Sequence, residues 1–158
     1  MFLKNKIKIT NKGHICKTVK FIGNGSVFIE KNAEIRSYSI IEMDQGNLII
    51  KEKSVIGYGS VVQCSGNIKI GIKSLIGPNC TILASSHPIN NSALIADQPL
   101  IRGCTKINDN IWIGANCVVN MGSNIGSNSI IGCNSFVNKD IPENEIWAGS
   151  PIKFIRKK

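Results

Sequence analysis

Aromatic residues are scarce in this chain, 6% of 158 residues against 42% hydrophobic residues in all. A core with so few rings is built from aliphatic side chains. Isoleucine and valine supply most of them, which favours strands over helices. No stretch approaches the ~20 consecutive apolar residues of a membrane-spanning helix. The start, Met1 to Lys6, has no apolar run after its lysines of the kind a secretory signal needs. A cytoplasmic protein without an integral membrane segment is therefore expected. Histidine is limited to His14 and His87, and no CxxC pair occurs, so the ligand set of a zinc site is missing and no metal is expected. The six cysteines, at 16, 64, 80, 104, 117 and 133, read as reduced, small apolar residues rather than a disulfide framework. Threonine is too sparse for the outward rows of an ice-binding prism.

What the chain does have is positive charge, 19 Lys and Arg against 10 Asp and Glu, net +9. A basic surface can meet nucleic acid, anionic lipid, an acidic polymer or a phosphate-rich cofactor. No zinc-finger spacing or aromatic-basic stacking pattern accompanies it, so nucleic acid is not expected as a partner. Part of the charge serves solubility and blunts β-edges.

It also has a repeat. From Ile101 a branched aliphatic recurs every six residues, at Ile107, Ile113, Val119, Ile125, Ile131 and Val137. The same unit runs through the first half in groups that begin at Ile9, Ile29, Ile50 and Ile70, a period of about twenty. Three residues after the aliphatic stands Asn or Gly: Asn32, Gly59, Asn79, Asn110, Asn116, Gly122, Asn128, Asn134. These types tolerate the positive φ of a tight corner. The next residue is small: Ala33, Ser54, Ser60, Ser74, Cys80, Cys117, Ser123, Ser129, Ser135. Strands this short have no hydrophobic face of their own, so they work only as a coil whose turns stack. Three hexads per turn predict an all-β triangular prism of about six coils with an Ile/Val ladder inside.

This pattern resembles the hexapeptide-repeat acyltransferases, most closely in Ile111-Trp112-Ile113-Gly114-Ala115-Asn116, Val137-Asn138-Lys139-Asp140-Ile141-Pro142 and Ala148-Gly149-Ser150-Pro151. Within that family it is most similar to the small sugar and polysaccharide O-acetyltransferases. The resemblance implies a left-handed parallel β-helix over residues 1–140 and a tail over 141–158 that caps it. It also implies a homotrimer, with acetyl-coenzyme A held between neighbouring prisms.

The hexads stop after Ile82 and resume at Ile101, which predicts an extruded loop over 83–100. Long insertions in a compact repeat are usually functional, and this one contains His87. Ser86-His87-Pro88 resembles the family's catalytic segment, and His87 is the expected base. Acyl transfer needs a base for the hydroxyl proton, for which imidazole is suited, and a donor for the oxyanion. The resemblance places Trp112 beside the base, Ala115 and Cys133 along the pantetheine arm, and Lys139, Lys153 and Arg156 toward the nucleotide end. The expected reaction is transfer of an acetyl group from acetyl-CoA to a hydroxyl of a sugar or cell-surface polysaccharide. N-acetylation of an amino-sugar nucleotide and a non-catalytic β-helix scaffold are the alternatives. A γ-type carbonic anhydrase would need three histidine ligands per zinc.

Overall fold

Every six residues an aliphatic side chain turns inward and lands on its counterpart one coil away. The computed structural model describes residues 6–89 and 93–158, with the backbone alone for residues 6–8. Residues 1–5 and 90–92 lie outside the described residues. The chain winds as a parallel β-helix with three faces. The first face stacks the short strands His14–Ile15, Glu34–Ile35, Val55–Ile56, Leu75–Ile76, Trp112–Ile113 and Ile130–Ile131. The second stacks Val61–Cys64, Thr81–Leu83, Val118–Val119 and Phe136–Val137. The third stacks Lys6–Asn11, Asn67–Ile70, Cys104–Ile107 and Asn124–Ile125. The longer strands Lys20–Ile29 and Ile40–Ile50 bend from the second face onto the third without a break. Six coils are complete, and Ile141 and Trp147 begin a seventh.

Register keeps the ladder strict. Ile35, Ile56, Ile76, Ile113 and Ile131 pair in succession on the first face, and all are buried. The corners follow the sequence pattern closely. All eight of the Asn and Gly turn positions named above have positive φ, between 55° and 83°. Tyr38, Lys53 and Lys73 take the same conformation without the favoured residue type. The small residues are all buried, and size is only half of their role. Ser39 donates to the Gly57 carbonyl (3.0 Å), Ser60 to Gly77 (3.2 Å), Cys80 to Gly114 (3.1 Å) and Cys117 to Gly132 (3.1 Å). Each corner thus ties its coil to the next, and among the described residues no buried side-chain polar atom lacks a partner. The cysteines are all free. Burial pushes the Cys64 thiol up to about 12, and the neighbouring Cys117 thiol together with burial holds Cys80 above its ordinary range.

One expectation from the periodicity is corrected. Ile101, the first residue of the six-residue run, is not in the ladder. It is 47% exposed and pairs with Ser86 in a two-stranded antiparallel ribbon. The ladder resumes at Ile107, which is fully buried. Spacing alone cannot separate the two, because a residue six positions before a rung scores as a rung wherever its chain goes. Denaturant unfolding should distinguish them. Ile107→Ala is expected to cost about 2–5 kcal/mol, and Ile101→Ala to stay within about 0.5 kcal/mol.

The C-terminal segment closes the upper end. Glu145–Ala148 continues the first face and then pairs antiparallel with Lys153–Lys157. Trp147 meets Phe154 edge-on, with ring centroids 5.8 Å apart, and Ile152 is buried in the hydrophobic core.

Candidate active site

The insertion leaves the prism after Ala84, at the corner between the second and third faces, and returns at Gly103. Its base is the ribbon of Ser85–Ser86 with Ile101–Arg102. Ser85 is buried, and its hydroxyl lies 3.4 Å from Gln63 Oε1. Arg102 clamps the returning strand from below. It forms an ion pair with Asp44 (2.6 Å) and donates to the carbonyls of Asp44 (2.5 Å) and Ser65 (2.9 Å). A corner glycine, Gly66, makes room for this crossing, since a Cβ there would lie 2.1 Å from the Gly103 carbonyl. His87 follows the ribbon directly and is exposed.

Trp112 stands on the outside of the first face, 55% exposed, above Leu75, which is 47% exposed. The corner between the second and third faces, which carries the loop, lies opposite the first face. The chain therefore does not bring His87 and Trp112 together. They occupy opposite sides of one molecule.

The five residues assigned to the cofactor divide in the same way. Ala115 and Cys133 stack at the corner between the first and second faces, where Asn134 N–H donates to the Ala115 carbonyl (2.9 Å). Their own N–H groups find no acceptor within the described chain, so they are free for an amide-bearing ligand. Gly114 lets Cys133 stack this closely on its coil, since a Cβ would come within 2.7 Å of Cys133 Sγ. Lys153 lies at the top of the same corner, paired with Ala148, which itself packs over Gly132. Arg156 is exposed on the same hairpin and donates to the Lys157 carbonyl (3.0 Å). Lys139 sits at the loop-bearing corner, past the end of Phe136–Val137 and away from the other four. Among the described residues no group of His, Cys, Asp or Glu side chains could hold a metal ion.

Sequence reasoning missed Arg102 and Asp44. Their only signal would have been a charged pair flanking the insertion, and 58 residues of separation hide it.

No family model matches the chain. It is 40% identical over 90 residues to the galactoside O-acetyltransferase of Escherichia coli (strain K12), a match that covers 57% of this chain and 44% of that protein. The chain spans about half the length of the curated relatives it matches. Among solved structures, a hexapeptide-repeat-containing acetyltransferase of Vibrio cholerae complexed with acetyl-coenzyme A is 27% identical, with TM-score 0.61 over 92% of this chain and 69% of that one. The N-acyltransferase AntD of Bacillus cereus shares the fold, with TM-score 0.84 at 18% identity over 96% of this chain and 83% of that one. Fold and site thus define a parallel β-helix with a histidine carried out at one corner. In sequence and fold the chain is similar to hexapeptide-repeat acetyltransferases.

Proposed function

We infer that the protein transfers an acetyl group from acetyl-CoA to a sugar hydroxyl, on a free saccharide or a cell-surface polysaccharide or its precursor, with His87 as general base. The observation that carries this reading is the ejection of an exposed histidine at the one place, among the described residues, where the ladder of this acetyltransferase fold is broken. The imidazole takes the proton of the acceptor hydroxyl as its oxygen attacks the thioester carbonyl. A backbone N–H facing the carbonyl oxygen stabilises the tetrahedral oxyanion. When the C–S bond breaks, the protonated imidazole returns the proton to the departing thiolate. A thiol-release assay with acetyl-CoA across hydroxyl and amino sugars tests this. Release with hydroxyl sugars supports the reading, release with amino sugars alone replaces it with N-acetylation, and none with either sinks it.

The site is completed by a second copy. The corner loop of one chain set against the first face of the next is a head-to-tail contact that closes into a ring. A trimer brings His87 of each chain to Trp112 of its neighbour. The exposed apolar side chains support this. Ile89 is 91% and Leu94 74% exposed on the loop, while Leu75 and Trp112 form an exposed stripe on the face opposite. Contiguous exposed apolar surface marks an interaction site. Acetyl-CoA would lie along the groove so formed. The Ala115 and Cys133 N–H groups would face the pantetheine arm, Lys153 and Arg156 the phosphates, and Lys139 of the neighbouring chain the nucleotide end. Neutralising Lys153 and Arg156 together should raise the Michaelis constant for acetyl-CoA, more so at low salt, with a smaller change in turnover. Steady-state kinetics at two ionic strengths checks it, and an unchanged constant removes them from the site.

A further inference from the structure

The third face carries an open groove that the acetyl-transfer chemistry does not use. Its outward side chains stand in register, one rung apart. Phe28 pairs with Ile49, Ile49 with Lys69, and Lys69 with Lys106. Beside them run Ser26, Asn47, Asn67 and Cys104. The groove has a volume of about 340 Å³ along Phe28, Ile49, Lys69 and Lys106. It opens, through the shared residues Asn47, Asn67 and Cys104, into a notch of about 540 Å³ lined also by Gln45, Ser65 and Arg102. Arg102 pairs directly with Ser85 in the ribbon that carries His87. Groove and notch therefore lead to the foot of the histidine loop.

The charges in this groove are unbalanced. Lys69 and Lys106 are exposed, directly opposite each other in a parallel ladder, and neither has an ion pair among the described residues. Like charges directly opposite destabilise a sheet, and an anion between them relieves the repulsion. The Arg102 guanidinium is already taken by Asp44 and two carbonyls. The notch itself thus offers amides, a hydroxyl and backbone groups, which suit a neutral polyol. Phe28, 45% exposed, supplies an apolar platform at the far end.

We propose that this groove binds the acceptor as an extended acidic glycan, with carboxylates on Lys69 and Lys106 and the sugar to be acetylated in the notch beneath the His87 loop. Rungs lie about 4.8 Å apart, close to the advance of one sugar along an extended chain. A uronate polymer carries one carboxylate per sugar, so its charges match successive rungs. Phosphodiester-linked polymers space theirs farther apart. Single-stranded nucleic acid would want a series of aromatic platforms, and the groove has one. The direction of the glycan toward His87 rests on the function proposed above, whereas its binding does not.

Isothermal titration of the intact protein with hexagalacturonate, maltohexaose and a six-residue thymidine oligonucleotide tests the proposal without acetyl-CoA. Hexagalacturonate should bind, weaken with salt, and outcompete maltohexaose. The Lys69→Gln/Lys106→Gln variant should lose about tenfold in affinity, the product of two exposed ion pairs. Phe28→Ala should weaken both sugars, and His14→Ala, remote from the groove, neither. Hexagalacturonate binding no better than maltohexaose, or unchanged in the double lysine variant, overturns the proposal. Tighter binding of the oligonucleotide overturns it in favour of nucleic acid. Thiol release reports on acetyl transfer separately, so either reading can fail while the other stands.

Discussion

His87→Ala should lower turnover by about 10²- to 10⁴-fold, the usual contribution of a positioned general base, while leaving the fold unchanged. The residue is exposed on an inserted loop and contributes nothing to the ladder. Acetyl-CoA affinity should survive as well, because the groups assigned to the cofactor sit at other positions. Acidification should slow the parent enzyme, since a protonated imidazole cannot accept the hydroxyl proton, and the variant should lose that dependence. His14→Ala is the control. His14 lies on the first face in the first coil and is remote from the loop, so it should be nearly silent. A folded His87→Ala protein with close to parental turnover would remove His87 from the mechanism and leave the β-helix intact.

Mixing two inactive variants should restore activity. If His87 of one chain works beside Trp112 of the next, a trimer containing both His87→Ala and Trp112→Ala chains has one junction with both native residues. The neighbouring junction collects both substitutions. Random assembly of equal amounts places about a quarter of all sites in the native state. Co-expressed or co-refolded mixtures should therefore approach a quarter of parental activity, well above either variant alone. The parent should scatter light as a trimer. A mixture no more active than its components, in demonstrably mixed trimers, would place both residues in one chain's site or remove Trp112 from it. The opposite placement of the two residues within one prism makes that outcome the sharpest test of the assembly.

Much of the fold was legible because a coil repeats its local requirements. Asn79, Asn116 and Asn134 announce a corner because positive φ costs them little, and Ser60, Cys80 and Ser135 announce its inner side because only a small side chain fits there. Tyr38 and Lys73 escaped notice because, in a coil already closed by hydrogen bonds to its neighbours, the corner imposes its conformation on an unfavoured residue. The same reasoning explains Ile101. Its spacing is that of a rung, yet the return of the insertion carries it onto a solvent-facing ribbon. Trp112 was legible as a site residue through the resemblance, but its distance from His87 within one chain was not.

The sequence by itself determined the coil. The six-residue period, the corner residues and the aliphatic ladder are local and recur, so each is readable without knowing where any other coil lies. It also located the insertion and the histidine within it. The tertiary structure decided what those features face. Which corner releases the loop, which face carries Trp112 and which lysines stack without a counter-ion depend on how the faces succeed one another around the axis. Residues 37 apart in the chain, Lys69 and Lys106, become adjacent only because the insertion between them is thrown out of the coil and the next rung closes beneath it. That juxtaposition is a property of stacking, and no spacing along the chain encodes it.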